Sequence, residues 1–303
     1  MENGFVVSKL GLVCLTSTGE PKFRTITKTR LEKLSREEQV KVLVDIYIDN
    51  ISSLDRMIQF CIDNKIQLYR LSSQLFPFAD SPLGRGLLFE FATRLEQLGE
   101  RFIKAGIRVT CHPDKFVSLV NTDPKIIRNS IDYLEMHSNI FNLLQLEQSS
   151  WNPIIIHCGK RDNKIEFIQA VKYLSSSIRD RLVIENDEYS YGAKDICDIS
   201  RMTGIPVVFD LHHHIVKEKV QYSDPSIGQW LDTFKETWDR TNNVSWQLCH
   251  ISNGADHLWD NKHSDFINIF PEDLFNIEWI EVEAKQKEQA IFHLRREYPN
   301  ELE

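Results

Sequence analysis

The stretch "VVFDLHHHIVK", residues 207–217, decides the fold. A short apolar run ends in Asp210 and is followed by His212, His213 and His214. A buried strand that turns polar at its C-terminal end is how a parallel barrel presents the side chains of its site. The polar end is either a solvated loop or part of a metal site, and the rest of the chain has to discriminate.

Seven other runs have the same character: "FVVSKLGLVC" (5–14), "IQLYRLS" (66–72), "IRVTCH" (107–112), "PIIIHC" (153–158), "LVIEN" (182–186), "WQLCHIS" (246–252) and "IEWIEVEA" (277–284). Helical segments separate them. Ser35 and Glu38 form a capping-box pattern ahead of apolar residues at helical spacing from Val40 to Ile58. Asp123-Pro124 reads as an N-cap followed by proline at the first helical position, and Gly204 closes a helix near 193–203. Strand and helix alternating eight times with mostly apolar strands predicts an α/β chain folded as one TIM (β/α)8 barrel domain over residues 1–303. An open doubly wound sheet would carry a glycine-rich phosphate loop after its first strand. Here "LVCLTSTGEPKF" has only Gly19.

The composition, 42% hydrophobic and 26% charged over 303 residues, is that of a soluble globular protein with a large core. No apolar run reaches the roughly 18 residues a membrane helix needs, and Met1 to Thr16 lacks the pattern of a signal peptide. A cytoplasmic monomer without a membrane partner is expected, associated with the nucleoid if bacterial. The six cysteines form no CxxC pair, which argues for reduced thiols rather than a zinc ribbon. Cys111, Cys158 and Cys249 each neighbour a histidine and, by strand alternation, point away from it as small hydrophobes. A net charge of −8 argues against a general nucleic-acid coat but leaves room for a local basic groove.

Strand C-termini are where a barrel keeps its chemistry. Read in order they supply His112, His157, Glu185, Asp210 with His213, His250 and Glu283, and His263 lies in the loop after the seventh strand. Any one of these alone is more often a satisfied or solvated residue than a ligand. All of them at one end of one barrel is different, because so many buried polar groups need a partner. Imidazoles and carboxylates without thiolates favour Mn²⁺, Zn²⁺ or Fe²⁺ over an all-oxygen Mg²⁺ or Ca²⁺ cage. The set suits about two or three divalent ions, bridged by Glu185 and Asp210. His213 reads as the ligand of the histidine run, with His212 and His214 behind it or at the surface.

The chain resembles the ultraviolet damage endonucleases, and more distantly the endonuclease IV class of abasic-site nucleases. The likeness rests on "YRLSSQLFPFADSP" (69–82), "TCHPDKFV" (110–117), "IIIHCG" (154–159), "LVIENDE" (182–188), "VVFDLHHH" (207–214), "HISNG" with downstream "KHSDFI" (250–267) and "IEVEAKQKEQ" (280–289). The resemblance implies a metal-dependent hydrolase of DNA repair that nicks damaged double-stranded DNA 5′ to a UV photoproduct or abasic site. It implies metal ligands at His112, His157, Glu185, Asp210, His213, His250, His263 and Glu283, with manganese the leading ion.

In that mechanism Glu185 bridges the ions and holds the attacking hydroxide. His112 and His157 hold the first ion, Asp210, His250 and Glu283 a second, and His213 with His263 a third. Lys285, two residues beyond Glu283, joins Glu185 as a catalytic candidate if the strand continues that far. Lys115, Phe116, Lys160 and Arg85, with Arg161 and Lys262, are candidates for DNA contact, Phe116 as a wedge and the cations at phosphates.

The sequence departs from the family pattern at four places. Ser81 and Leu248 stand where a histidine and a carboxylatable lysine are usual, Lys115 and Phe116 replace a glutamine and tyrosine that probe damaged bases, and Leu12 replaces a tyrosine. Two rival readings follow. One is a metal-dependent sugar isomerase or epimerase on a similar barrel. The other is a member that binds damaged DNA without cutting it.

Overall fold

The computed structural model describes residues 7–114, 116–159, 164–239 and 244–303. Eight parallel strands close into a barrel in chain order: β1 (Lys9–Val13), β2 (Leu68–Leu71), β3 (Arg108–Cys111), β4 (Ile154–His157), β5 (Leu182–Glu185), β6 (Val207–Asp210), β7 (Leu248–Ile251) and β8 (Trp279–Val282), with β8 pairing back onto β1. The helices are α1 (Lys28–Leu31), α2 (Arg36–Asp63), α3 (Pro82–Phe89), α4 (Ala92–Lys104), α5 (Pro124–Leu143), α6 (Lys164–Lys172), α7 (Ser176–Arg179), α8 (Ala193–Thr203), α9 (Leu211–Glu218), α10 (Ser226–Asp239) and α11 (Glu288–Glu297). Among the described residues no helix is long and apolar enough to cross a membrane.

The expected strands are present but shorter than their apolar runs. Trp246 belongs to a 3-10 turn ahead of β7, and β8 stops at Val282. Hydrophobicity continues past the last ladder hydrogen bond because the flanking residues are still packed, Trp246 against the apolar cluster within the barrel and Ala284 in the main core. The local signals hold: Ser35 and Glu38 complete the capping box of α2, Asp123 caps α5 ahead of Pro124, and Gly204 ends α8 in the left-handed region at φ 77°. Ser81 is the N-cap of α3, its Oγ accepting the Gly84 N–H at 3.2 Å. A residue at this position is therefore committed to holding a helix start.

Alternation along the strands sorts the barrel interior into layers. The lower layer is apolar, with Leu68, Ile155, Val183, Val208, Leu248 and Trp279 in one buried cluster. Gly11 faces it from β1, where an added Cβ would stand 2.6 Å from Leu68 Cγ. Below, fully buried Arg108 lies against the rings of Trp151, Trp279 and Trp238 at 4.7, 5.3 and 5.7 Å. Its Nε donates to the Trp151 carbonyl at 2.8 Å, so an aromatic cage with a cation inside closes this end. One step up each strand the same face becomes polar: Arg70, Thr110, His157, Glu185, Asp210, His250 and Glu281. The outward positions, Cys111 and Cys249 among them, are buried with the helices in the main core.

Candidate metal centre

Glu185 ends β5 on the barrel axis side and is buried, and it gathers the histidines of its neighbours. His112 Nε2 lies 2.6 Å from Glu185 Oε2, with His157 Nε2 3.6 Å from the same oxygen. On the other oxygen, Oε1, His250 Nδ1 approaches to 2.8 Å and His213 Nδ1 to 3.7 Å. Burial pushes the Glu185 carboxyl up, but the imidazoles of His250, His157 and His112 outweigh it and hold the group well below the usual carboxylate range. His112 is fixed from behind, because its Nδ1 lies 3.1 Å from the Pro113 carbonyl and can donate there. That leaves Nε2 for the centre.

The opening stretch resolves at Asp210. Its Oδ1 accepts the His213 backbone N–H at 2.7 Å, so the residue ends β6 and N-caps α9 at once. Its position is set from behind by Asn186, which accepts the Asp210 N–H at 2.9 Å and donates to the Asp210 carbonyl at 2.8 Å. Burial raises the Asp210 carboxyl. His213 Nδ1 stands 3.6 Å from Asp210 Oδ2, and its Nε2 faces Glu188 Oε2 at 3.4 Å. His212 and His214 are both buried, which corrects the surface alternative for them. The His212 Nε2 hydrogen-bonds the Asp260 carbonyl at 2.7 Å, and His214 Nε2 lies 3.1 Å from Ser226 Oγ. A single helical turn spreads three consecutive side chains around its axis, and all three are interior because the helix is buried on every side from Leu211 to Val216.

Among the described residues three groups of atoms are close enough to hold an ion: His112, His157 and Glu185; Glu185, Asp210 and His213; and Asp210, His250 and Glu283. Glu185 belongs to the first two and Asp210 to the last two. His213 therefore shares its group with Glu185 and Asp210 rather than with His263. His263 instead sits beside Glu283, Nδ1 to Oε2 at 3.8 Å. The donor set fits a divalent transition ion on two counts. Its atoms are imidazole nitrogens and carboxylate oxygens, and the buried Oδ2 of Asp210 accepts no hydrogen bond.

The other described sequence candidates belong to none of these three groups. Lys285 is exposed in a turn, because β8 ends before it and the alternation argument does not reach it. Phe116 is 58% exposed on the loop after β3, its ring 4.8 Å from that of Tyr133. Tyr133 is itself braced by hydrogen bonds to Asp114 at 3.0 Å and the Ser73 carbonyl at 3.1 Å. Arg85 projects from α3 and donates to the Asp80 carbonyl at 3.2 Å. Lys262 is exposed. Lys115, Lys160 and Arg161 lie outside the described residues. A cavity of about 340 Å³ opens beside His157, walled by Pro113, Val117, Asp187 and Tyr189.

Sequence reasoning passed over Arg70, Asn186, Glu188 and Glu281. Arg70 and Glu281 carry the clearest signal in retrospect, since a charge at the same alternation phase as buried Leu68 or Trp279 points into the barrel.

The family model described as UV-endonuclease UvdE matches residues 8–303. A UV DNA damage endonuclease of Nostoc is 41% identical over 290 residues, covering 95% of this chain and 89% of the relative. One from Deinococcus radiodurans is 38% identical over 293 residues, covering 95% of both chains. The crystal structure of SacUVDE superposes with a TM-score of 0.78 at 25% identity, over 96% of this chain and 99% of that one. The 3-keto-D-glucoside 4-epimerase of E. coli, TM-score 0.54 at 10% identity over 95% of this chain and 99% of that one, shares the fold alone.

Proposed function

The chain belongs to the UV-endonuclease UvdE family, and from that premise we propose that it is a DNA repair endonuclease that nicks damaged duplex DNA 5′ to a UV photoproduct or abasic site. The observation that carries the reading is Glu185, one buried carboxylate whose two oxygens each face a separate histidine, His112 and His250, at 2.6 and 2.8 Å. A bridging carboxylate of this kind is what a multi-ion phosphodiesterase requires.

His112, His157 and Glu185 would hold one ion, Glu185, Asp210 and His213 a second, and Asp210, His250 and Glu283 a third, with His263 beside Glu283. Ions bound there, manganese foremost, would supply Lewis acidity at the phosphate and water of neutral-range acidity for the attack. The chain's own part is positional. Asn186 fixes Asp210, the Pro113 carbonyl fixes His112, and the strand ends of the barrel hold the carboxylates and imidazoles close enough to share an ion. Phe116, exposed on its Tyr133 platform, would wedge into the base stack, and the cavity beside His157 would take the displaced nucleotide. Arg85 would meet backbone phosphate, with Lys115, Lys160 and Lys262 in the same role. Most of the affinity would then fall with added salt.

The experiment is a cut-site map on 5′-end-labelled duplexes bearing one cyclobutane dimer, one abasic site or no lesion. The reading expects a product ending immediately 5′ of the lesion. Intact strands in every lane would remove it.

A further inference from the structure

Glu281 is a carboxylate that no chemistry above uses, yet it is fully buried under the candidate centre. It faces inward from β8 in register with His250 on β7. Its Oε2 lies 3.0 Å from His250 Nε2 and accepts from Arg70 Nε at 2.6 Å, and Thr110 donates to its other oxygen. Arg70 also reaches Glu283, Nη1 to Oε1 at 2.6 Å, so one guanidinium ties Glu281 to a carboxylate of the cluster.

The two nitrogens of His250 face opposite ways. Nδ1 looks into the centre, 2.8 Å from Glu185, 3.6 Å from Glu283 and 4.0 Å from Asp210. Nε2 looks away from it, toward Glu281. A neutral imidazole that ligates through Nδ1 must carry its proton on Nε2. The groups at Nε2 are Glu281 and Arg70 Nη2, the latter at 3.0 Å and also 3.4 Å from Nδ1. Arginine only donates, so paired with Nε2 it would favour the wrong tautomer, with the proton on Nδ1. Glu281 is the acceptor that reverses this, and it holds Arg70 in an ion pair at the same time.

We propose that Glu281 is a positioning residue for the metal centre: it fixes His250 as the tautomer protonated at Nε2 and so presents Nδ1 as a ligand to a divalent ion. The inference rests on the metal-centre reading given above. It makes His250 a counterpart of His112, with a carboxylate doing for Nε2 what the Pro113 carbonyl does for Nδ1 of His112.

The test uses the full chain, stripped with chelator and reloaded with Zn²⁺ as a diamagnetic probe. Long-range ¹H–¹⁵N correlation spectra give the tautomer of each histidine, with His250 assigned by its loss in His250→Gln. The expected result is a protonated Nε2 and a metal-bound Nδ1. Mn²⁺ titration should show Glu281→Met weakened about 10- to 100-fold and Glu281→Gln, which keeps an acceptor oxygen, weakened less. Metal-free melting curves identify any variant that fails to fold, and the wild-type spectrum decides the matter without variants. A zinc-loaded His250 protonated at Nδ1 would overturn the proposal, as would folded Glu281 variants that bind Mn²⁺ like the wild type. If wild type binds neither ion, the metal-centre reading itself fails. If wild type binds and cuts but the tautomer is wrong, only the role of Glu281 fails.

Discussion

Asp210 caps the helix that carries His213. Its Oδ1 takes the His213 backbone N–H at 2.7 Å, and its Oδ2, which accepts no hydrogen bond, stands 3.6 Å from the His213 ring. The residue thus has one oxygen used by the cap and one that the proposed metal centre would use, and substitutions separate them.

Asp210→Asn keeps a side-chain oxygen for the cap but removes the charge. Asp210→Ala removes both. The metal-free melting temperature should be nearly unchanged in the first and correspond to a loss of about 1 kcal/mol in the second. Mn²⁺ affinity measured by calorimetry should fall in both. Unchanged affinity in Asp210→Asn would detach Oδ2 from metal binding.

His137 gives a pH prediction away from the cluster. Unfolded, its imidazole protonates near 6.5; folded, burial lowers it to about 4. Between those values the unfolded chain holds the proton and the folded chain does not, so stability falls as pH drops from 6.5 toward 4 and levels off below. The full loss is on the order of 3 kcal/mol. Urea unfolding of metal-free wild type and His137→Gln at pH 7 and pH 4.5 checks it. The gap between the two proteins should shift in the variant's favour at the lower pH.

The legibility of this protein in its sequence follows the same divide between local and register-dependent information. The eight strands were readable because apolar runs with turn signals between them are a local pattern, and the polar residues at their ends were readable from position alone. Arg70 and Glu281 were not, because their meaning depends on which inward positions meet across a closed barrel, which only the strand register fixes. The alternation argument for Lys285 does not apply for a related reason, since a strand's hydrogen-bonded end is set by its neighbours and not by its own residues. The buried His212 and His214 depended on where α9 begins, and Asp210 sets that through its cap.

Gly99 tests the packing that holds the wall near β3. In helix α4 an alanine would ordinarily stabilise by up to about 1 kcal/mol over glycine. Here the added Cβ would stand 1.6 Å from the Leu144 carbonyl oxygen just beyond α5. Gly99→Ala should therefore destabilise by about 1–3 kcal/mol or more. A raised melting temperature would contradict the close approach of α4 to the end of α5.

Phe116→Ala should leave melting unchanged, because the ring is 58% exposed. Affinity for a dimer-bearing duplex should fall roughly 5- to 150-fold, the range expected from about 1–3 kcal/mol of base stacking. Affinity for undamaged duplex should stay as it was, as fluorescence anisotropy at fixed salt would show. An equal loss on both duplexes would make Phe116 a general contact instead of a lesion probe.

Metal-dependent cutting at Glu185 is tested by comparing wild type and Glu185→Gln, side by side, for Mn²⁺-dependent nicking of a duplex with one pyrimidine dimer. Glu185→Gln keeps the size of the bridging side chain and removes its charge. The expected result is a nick 5′ to the dimer by wild type that disappears with chelator and falls by at least about 100-fold in the variant. Undiminished cutting by a folded Glu185→Gln protein, or no cutting by wild type with Mn²⁺ bound, would contradict it.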